Sequence, residues 1–450
     1  MSERKNFILC TDVILHDPSC FTKFKGNNVY IPDFVIKELE TIRENNVRKM
    51  SDISVFQAKE AFSKLKPYLN GNLQKTISND GMKLEDDINL RIVKTDNKDV
   101  LSLAQNYNKE TGNKFIIISK KESIRIDAAF KEIEAEDYKY DRVLEEQITS
   151  TKDIILNENK YAGLFYPEDD ILSEYASNLF PNMFVRFHNT VINPETAILK
   201  RFKGNKFVNL SEEYREFCSI KHRNVEQQIA FELLSDKSVE CVTIAGGAGS
   251  GKTIVSIAAG IQQTIIEPKY DKIIYVRPTD VAQGALPGDL YDKLKPWMMP
   301  FFDSLRVILT KSELALNKSL YKEAFDYDEK SKLIIEEVVK KLIDNEKLEL
   351  QTFDYMRGRT FHNCFIIIDE AQQFTPHIAK LLLTRSGEGS KFVMIGDPSD
   401  NQIDNSTVDP RSNGLVYIAA KMRPTEASGH ITFSKIERSK LAAIADELLQ

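Results

Sequence analysis

The chain has 450 residues, 42% of them hydrophobic, and a formal net charge of −6 at pH 7. This length exceeds what one hydrophobic core usually supports, so we expect two domains and a small connecting element. The slightly acidic balance excludes a protein that is basic throughout, although a local basic face is compatible with it.

The cysteines and the N-terminus favour a cytoplasmic protein. The five cysteines are Cys10, Cys20, Cys218, Cys241 and Cys364. They form no CxxC pair, so we expect buried, reduced thiols rather than disulfides or a zinc site. The charged N-terminus lacks the apolar run of a signal peptide, and no stretch approaches the roughly 18 apolar residues of a membrane span. We therefore expect no membrane partner.

Residues 1–142 alternate short apolar strands with amphipathic helices. Strands are predicted at 7–9, 29–31 and 115–118, helices at 34–42 and 99–107, and a last helix that runs through 128–133. Ser119 or Ser123 is the expected cap of the last helix. This order predicts an α/β domain with a parallel sheet.

The remainder of the chain divides into two further parts. Residues 143–215 contain Gly, Pro and Asn turns and short strand patterns at 183–187 and 196–202, which predict a small β-rich connector. Long α/β alternation returns in 216–450 and predicts a second α/β domain.

A glycine-rich loop lies between an apolar run at 239–245 and an apolar helix pattern at 254–261. The loop consists of Gly246, Gly247, Ala248, Gly249, Ser250, Gly251, Lys252 and Thr253. Its glycines let backbone N–H groups face one point, where the helix N-terminus adds partial positive charge. Lys252 is predicted to contact the β and γ phosphates of a nucleotide, and Thr253 to ligate Mg²⁺. The alternative, a glycine-rich turn with a surface lysine, does not require the whole eight-residue pattern.

Two acidic residues follow the apolar run at 365–368. Asp369 is predicted to hold Mg²⁺ through water, and Glu370 to orient or deprotonate the attacking water. Without the P-loop they would fit a solvated strand end equally well. A further strand pattern at 391–395 ends in Gly-Asp-Pro, and Gln402 after it is a candidate sensor of the γ-phosphate. A tight turn explains the same residues, and both interpretations stay open.

Several longer motifs over 221–438 resemble those of PhoH-type ATPases. They are Arg277-Pro278, LPGDL at 286–290 followed by KPWMMPFFDSL, RGRTF at 357–361, DEAQ at 369–372, LTRSGEGSK at 383–391 and GDP at 396–398. The resemblance implies one RecA-like core related to superfamily 1 helicases, ATP as nucleotide and RNA as polymer. Asn224-x-Glu226-Gln227 is similar to the family's glutamine motif, which implies that Gln227 reads adenine. The segment between Pro278 and Leu286 is shorter than is usual in the family.

A single RecA-like core lacks a positive charge on the far side of the transferred phosphate. Ring-shaped ATPases supply it as an arginine finger from a neighbouring subunit. We therefore expect a homo-oligomer, and the family resemblance implies a hexameric ring. The candidate fingers are Arg357, Arg359, Arg385 and Arg438, with Arg385 and Arg438 preferred because they flank predicted strands.

Residues 7–140 resemble a PIN domain, a Mg²⁺- or Mn²⁺-dependent RNase fold. The similarity covers the first strand and turn at 8–18, the second motif at 29–32 with Glu38, and the fourth motif at 115–125. PIN domains fused ahead of a PhoH-type ATPase are a known arrangement, so the two resemblances agree.

The carboxylates that a PIN nuclease needs are mostly absent. Cys10 replaces the leading aspartate of the first motif, Asn97 stands at the third acidic position, and Lys121 replaces the aspartate of the fourth motif. A lysine near Mg²⁺ would be repelled, so we favour a degenerate PIN domain in which Lys121 pairs with Glu38. Its remaining role would be RNA binding or assembly. The alternative metal ligands are Asp12, Glu38, Asp96 and Asp99, which would bind Mn²⁺ or Mg²⁺ in a shifted geometry.

Three functions remain open. The first is an ATPase that moves on or remodels RNA, and the second adds a PIN ribonuclease to ATP-driven unwinding. The third is a nucleotide-gated assembly scaffold without RNA activity. Four basic and aromatic residues fit either RNA contact or packing within a loop, of which packing is favoured: Tyr291, Lys293, Lys295 and Trp297.

Overall fold

The computed structural model describes most of the chain. The described residues are 4–44, 53–69, 72–95, 99–155, 176, 178–188, 197–211, 215–278, 295–311, 329–356, 358–435 and 437. Six residues named in the sequence analysis, and the LPGDL motif at 286–290, lie outside these ranges. The six residues are Asp96, Asn97, Tyr291, Lys293, Arg357 and Arg438.

The N-terminal domain is built on a six-stranded sheet with the strand order β3-β4-β2-β1-β5-β6. The strands are β1 Asn6–Leu9, β2 Asn28–Pro32, β3 Met82–Lys83, β4 Asn89–Val93, β5 Phe115–Ile118 and β6 Ala135–Glu136. All neighbours are parallel except β3 and β4. The central strands β1 and β5 are buried along their whole length, as expected for a parallel sheet covered on both faces. The predicted α/β domain with a parallel sheet is confirmed.

Six helices cover this sheet: α1 Thr11–His16, α2 Asp33–Glu44, α3 Ile53–Leu69, α4 Leu73–Ile77, α5 Val100–Thr111 and α6 Glu122–Phe130. The last helix was predicted to run through residue 133, but α6 ends at Phe130; its start at Glu122 lies between those that the two candidate caps imply. Neither predicted serine caps it: Lys121 is the residue at the N-cap position and makes no side-chain cap. The Ser119 hydroxyl instead donates a hydrogen bond to Asp12 of α1, at 2.9 Å.

The connector contains a four-stranded sheet with the order β10-β9-β8-β7. Its strands are β7 Thr151–Ile155, β8 Phe184–His188, β9 Ala197–Lys203 and β10 Lys206–Asn209. Strands β7 and β8 are parallel and the other pairs are antiparallel. A small core of Val185, Phe187, Phe202 and Phe207 supports the sheet. A two-stranded ribbon, β11 Glu216–Phe217 and β12 Ile220–Lys221, follows it.

The C-terminal domain has a second six-stranded sheet, in which every pair is parallel and the order is β15-β14-β16-β17-β13-β18. The strands are β13 Cys241–Gly246, β14 Lys272–Arg277, β15 Leu348–Thr352, β16 Cys364–Ile368, β17 Lys391–Gly396 and β18 Ser428–Phe433. Strand β17 lies between β13 and β16. The carboxyl ends of all three strands therefore meet at one edge, as predicted from the sequence.

The helices of this domain pack on both faces of the sheet. They are α7 Val225–Ser235, α8 Lys252–Ile261, α9 Met299–Lys311, α10 Glu329–Asp344, α11 Phe353–Met356, α12 Pro376–Leu383 and α13 Gly414–Met422. One apolar cluster contains Ile229, Val255 and Phe301, and a second cluster contains Phe353, Ile378 and Leu415. Each helix thus buries the apolar face that its residue spacing predicts.

Lys391, the last residue of the LTRSGEGSK motif, is fully buried at the start of β17. Its ammonium group donates hydrogen bonds to the carbonyl oxygens of Leu233 (3.0 Å), Asp236 (2.9 Å) and Val239 (2.6 Å). The first of these carbonyls belongs to the last turn of α7, which carries partial negative charge. Lys391 therefore connects the end of α7 to the sheet, which explains in structural terms why a lysine occupies the last position of this motif.

The two α/β domains are in direct contact. Helix α3 packs on the C-terminal domain, where the rings of Phe56 and Phe353 lie 5.4 Å apart. The ammonium group of Lys120 forms an ion pair with Asp409 at 2.6 Å and donates to the Ser412 hydroxyl at 2.6 Å. The Lys120 side chain is only 3% exposed, so this ion pair is shielded from solvent.

All five cysteines are buried and carry free thiols, as the sequence predicts. Within the described ranges, no helix combines the length and the apolar character that crossing a membrane requires.

Candidate nucleotide site

The glycine-rich loop joins the end of β13 to the start of α8, the context that the sequence predicts. Gly249 and Gly251 have φ angles of +83° and +97°, in the left-handed region that favours glycine. A Cβ atom added at Gly251 would meet the side-chain nitrogen of Gln227 at 2.9 Å. The curl of the loop therefore needs glycine at this position on two grounds.

Lys252 opens helix α8, and its side chain folds back over the loop. Its ammonium group donates hydrogen bonds to the carbonyl oxygens of Gly246 (2.5 Å) and Gly247 (2.9 Å). The residue is 8% exposed. Thr253 follows it and is half-buried on the first turn of α8. The buried lysine therefore lies at the N-terminus of α8, with its ammonium group against the glycine-rich loop.

Gln227 connects helix α7 to the same loop. Asn224 caps the helix by accepting from the Gln227 amide at 2.9 Å. The buried side chain of Gln227 donates to the Ser250 carbonyl oxygen at 3.0 Å and accepts from the Arg223 amide at 2.9 Å. Gln227, the glutamine of the motif, is therefore in direct contact with the glycine-rich loop.

Asp369 lies at the carboxyl end of β16 and is 4% exposed. One carboxylate oxygen accepts from the Glu370 amide at 2.9 Å, and the other accepts from the hydroxyl of Tyr275 on the neighbouring strand β14. Burial raises the pKa of Asp369, and the charge of Glu370 raises it further. Tyr275 therefore fixes the orientation of a buried carboxylate at the edge of the sheet.

Glu370 adopts a left-handed backbone conformation with φ of +54°. One oxygen of its carboxylate accepts from the guanidinium group of Arg277 at 2.8 Å, and the other accepts from the Gln372 amide group at 2.6 Å. Both oxygens are held by side chains, so the orientation of the Glu370 carboxylate is defined by its neighbours rather than by solvent.

Gln372 joins the acidic pair to the loop after β17. Its side chain is fully buried, donates to the Gln402 carbonyl oxygen at 3.3 Å and accepts from the Asp397 amide at 3.2 Å. A Cβ atom added at Gly396 would lie 2.1 Å from the side-chain oxygen of Gln372, so this close approach requires glycine. The Gly-Asp-Pro loop and the acidic pair are thus one connected unit.

A cleft of 670 Å³ opens at this edge of the sheet. The glycine-rich loop lines one side through Gly246–Ala248, and the loop after β17 lines another through Asp397 and Gln402. Val143 and Glu145, from the segment that leaves the N-terminal domain, also line it. The predicted nucleotide-binding residues of the loop therefore face a cleft to which the domain linker contributes.

The corresponding edge of the N-terminal domain is arranged differently. Cys10 follows β1, and burial raises the pKa of its thiol; the charges of Asp12 and Glu38 raise it further, whereas Lys121 lowers it. One oxygen of the buried Asp12 carboxylate accepts from the backbone amides of Lys120 (2.6 Å) and Lys121 (3.1 Å). Asp12 thus stabilises the turn that carries the two lysines.

The two other predicted acidic residues that the structure describes, Glu38 and Asp99, also have protein partners. Glu38 accepts a hydrogen bond from the Thr11 hydroxyl. Asp99 caps α5, accepting from the backbone amides of Leu101 at 3.0 Å and Ser102 at 3.2 Å. The residues that the structure describes contain no group of three side chains able to hold a metal ion. Nor do they include an ion pair between Lys121 and Glu38, which stays a prediction.

Comparisons with known proteins agree with this architecture. The family model described as "PhoH-like protein" matches residues 219–449, and the model described as "PIN domain" matches residues 7–139. Protein PhoH2 of Bacillus subtilis (strain 168) is 31% identical over 99% of this chain and 100% of its own length. The chain belongs to the PhoH family and carries an N-terminal PIN domain.

Two further similarities extend the comparison. Protein PhoH2 of Thermobispora bispora is 28% identical over 100% of this chain and 97% of its own length. Among solved structures, the Pif1 helicase from Candida albicans covers 51% of this chain and 44% of its own, with a TM-score of 0.25 and 17% identity. The similarity to the two PhoH2 relatives runs along the whole chain, across both the PIN domain and the PhoH domain.

Several residues of the PhoH site were not singled out from the sequence. Tyr275 and Arg277 lie two positions apart on β14, so both side chains point to the same face of the sheet, toward the acidic pair on β16. In the sequence, Gln372 was noted only as the last residue of the DEAQ motif and Arg277 only as part of Arg277-Pro278, and neither was assigned a role. Arg411 lines the cleft beside Gln402 and had no sequence signal.

The described candidate arginine fingers lie away from the cleft of their own chain. Arg385 follows α12, and its carbonyl oxygen accepts from the Phe361 amide ahead of β16, at the opposite edge of the sheet. Its side chain lines a cavity of 170 Å³ that also involves Phe56 of the PIN domain. Arg359 is paired with Glu349 at 3.0 Å. Arg385 is therefore not among the residues that line the nucleotide cleft of its own chain.

Replacing Tyr275 by Phe removes the hydroxyl that orients Asp369 and retains the ring, which packs 5.0 Å from the ring of Phe301. Because residues that orient metal ligands typically contribute about 10-fold or more to metal affinity, we expect the Mg²⁺ concentration for half-maximal ATP turnover to rise about 10-fold. A Mg²⁺ titration of ATP turnover measures this shift. Tyr270→Phe, in the same core, is the matched control; an equal shift in both variants would contradict the assignment to Tyr275.

Proposed function

We propose that this protein is an ATP-hydrolysing enzyme that acts on RNA, as a helicase or a remodelling ATPase. One observation carries the proposal: the P-loop and the Asp369–Glu370 pair converge at one edge of the PhoH sheet, joined through Gln372 to the loop that holds Gln402. Membership of a P-loop NTPase family supports the nucleotide. Resemblance to PhoH-type ATPases and the presence of a PIN domain support RNA as the polymer.

The residues at the P-loop fit the triphosphate of ATP and a Mg²⁺ ion. The loop amides and the N-terminus of α8 suit an anion, and the Lys252 ammonium group, now on two loop carbonyls, would exchange these for β and γ phosphate oxygens. Thr253 and Asp369 supply the hydroxyl and carboxylate oxygens that Mg²⁺ prefers. When bound, Mg²⁺ would neutralise phosphate charge. Gln227, which contacts the loop at Ser250, would recognise adenine.

Hydrolysis then requires a water molecule in line with the γ-phosphate. Glu370 would accept a proton from this water or orient it, and Lys252 would stabilise the charge that develops on the phosphate oxygens. The backbone carbonyl oxygen of Gln402 accepts a hydrogen bond from the side chain of Gln372. The side chain of Gln402 would contact the γ-phosphate. The connection through Gln372 would transmit the presence of that phosphate from the β17 loop to the acidic pair.

We propose that the PIN domain has lost nuclease activity and serves as an RNA-binding or assembly module. Asp12 is occupied by amides of the turn carrying Lys120 and Lys121, and Asp99 by the N-terminus of α5. The lysine of the fourth motif adds positive charge where an Mg²⁺ ion would need carboxylates. The acidic residues present therefore suit this turn better than a metal ion.

We further propose that the protein works as a homo-oligomeric ring with Arg385 as the arginine finger. The backbone of Arg385 lies at the edge of the sheet opposite its own P-loop, which supports action on the nucleotide of a neighbouring subunit rather than on its own. Arg438, the other preferred candidate, lies outside the described residues. Its predecessor Glu437 donates a backbone hydrogen bond to Gly249 of the same chain at 3.2 Å, which favours Arg385 for action between subunits.

The central prediction concerns Glu370. In Glu370→Gln, ATP turnover is expected to fall at least about 100-fold, because the amide cannot take the proton of the attacking water, while ATP still binds. Glu388→Gln, an exposed glutamate before β17, is the matched control. In the wild-type protein, single-stranded RNA should increase ATP turnover, measured as phosphate release. Turnover that RNA leaves unchanged, together with no retention of RNA, would instead favour a nucleotide-gated scaffold.

The PIN domain is tested by incubating end-labelled RNA with Mn²⁺ and without ATP. We expect no shortening of the RNA, because the described acidic residues form no metal-binding group. Cleavage that disappears in Glu38→Ala but persists in Glu44→Ala, on the same helix, would show that the nuclease is retained.

The finger is tested by Arg385→Gln. We expect ATP turnover to fall by about 1,000-fold or more, with ATP binding retained, as for arginine fingers in general. Mixing this variant with Glu370→Gln should restore part of the turnover, because some interfaces would then combine an intact Arg385 with an intact Glu370. Lys380→Gln, on the preceding helix, is the control. Failure of the mixture to recover, or wild-type turnover in Arg385→Gln, would rule out this role.

A further inference from the structure

Trp297 lies in the turn at 295–298 that precedes helix α9 and is 42% exposed. The turn is anchored on both sides of it: Met298 is fully buried, and Lys295 forms an ion pair with Glu336 of α10 at 2.7 Å. The sequence favoured packing for this tryptophan, yet a large part of the side chain reaches solvent on a fixed backbone. An exposed aromatic ring on a fixed backbone suits stacking against an unpaired base.

The backbone of the same residue is connected to the acidic pair through Arg277. One terminal nitrogen of the guanidinium group donates to the Trp297 carbonyl oxygen at 2.9 Å, and the other donates to the Glu370 carboxylate at 2.8 Å. The Arg277 side chain is 21% exposed. Because the guanidinium group is planar and rigid, its two hydrogen bonds cannot change independently.

The contact with Arg277 also bears on what Glu370 can do. Its second oxygen is held by Gln372, so both carboxylate oxygens already accept a hydrogen bond from a side chain. Each oxygen keeps a second lone pair that a general base can direct at water, but the two contacts fix the direction in which these lone pairs point. Releasing the oxygen held by Arg277 is the smallest change that would let Glu370 turn toward a water molecule, since Gln372 is fixed by Asp397 and Gln402.

We propose that Arg277 is a positioning residue that links a single-stranded RNA contact at Trp297 to the water-activating Glu370. The proposal rests on the RNA-dependent ATPase function proposed above. A base stacked on Trp297 turns the carbonyl oxygen of this one residue away from Arg277 while Lys295 and Met298 hold the rest of the turn, the guanidinium group rotates with it, and Glu370 is released toward water. Without RNA, Arg277 retains Glu370 and ATP turnover stays low. The Arg277-Pro278 motif thereby gains a role in coupling.

The test measures ATP turnover of the full-length protein with and without a single-stranded RNA oligonucleotide. In Arg277→Gln, turnover without RNA should rise at least about fivefold, the lower range of typical coupling between two sites, and the stimulation factor should fall toward one. Arg277→Lys retains a cation for Glu370 but cannot bridge two acceptors in the same way. Its turnover without RNA should stay below that of Arg277→Gln, while its stimulation factor also falls. If Arg277 had only a structural role, the turnover without RNA and the stimulation factor would not change independently in these variants.

The RNA contact is tested separately at Trp297, so the proposal stays falsifiable if an Arg277 variant unfolds. Trp297→Ala should raise the RNA concentration for half-maximal stimulation about 5- to 100-fold, and Trp297→Phe should raise it less, because an aromatic ring can still stack. Arg186→Gln removes an arginine–aspartate pair of similar length, 2.7 Å, in the connector and should match the wild type in both quantities.

The outcomes separate the link from the function on which it rests. RNA stimulation in the wild type with unaltered values in the Arg277 and Trp297 variants overturns the link alone. Lower turnover in Arg277→Gln with an intact stimulation factor also overturns it, since Arg277 would then only support the site. A wild-type protein whose ATP turnover does not respond to RNA overturns the proposed function and this proposal together.

Discussion

The parallel pairing of β17 between β13 and β16 is the constraint on which the rest of the PhoH domain depends. It brings the carboxyl ends of three strands, which are far apart along the chain, to one edge. The P-loop and the acidic pair are then separated by the width of a single strand, and the loop after β17 fills the space between them. Gln372 can bridge this gap only because Gly396 has no side chain. Local sequence builds each loop, whereas strand order decides which loops meet.

This distinction explains which parts of the site could be predicted. The P-loop, Asp369 and Glu370 were predictable because strand, loop and helix follow one another within a few residues. Tyr275 lies 94 residues before Asp369, and its contact with that carboxylate follows from the adjacency of β14 and β16, which spacing alone does not reveal. The predicted serine cap of α6 was wrong for a related reason. Ser119 fits a local capping pattern, but its hydroxyl donates to a buried carboxylate on another helix instead.

The PIN domain gives the same lesson in reverse. Its parallel sheet was predictable from alternating strands and helices, and the departures at Cys10 and Lys121 were visible in the sequence. The contacts that the acidic residues make instead could not be predicted from the sequence, because their partners are mainly backbone amides whose positions depend on tertiary structure. Asp12 has become a support for the turn that carries Lys120 and Lys121. The neighbouring Lys120 is directed into the PhoH domain, so this turn belongs to the contact between the domains as well as to the edge of the PIN sheet.

That contact changes how the two halves of the protein can be separated. The segment leaving the PIN domain forms part of the wall of the nucleotide cleft, and the backbone of Val143 donates to the carbonyl oxygen of Arg411 on the opposite wall. A truncated protein that begins after the PIN domain would keep this segment but lose the domain that holds it, and would leave Asp409 without its buried cation. Loss of ATP turnover on truncation would therefore say nothing about RNA or nuclease chemistry. In this molecule the first domain serves as part of the architecture of the second, and that role does not depend on whether its own acidic residues are catalytic.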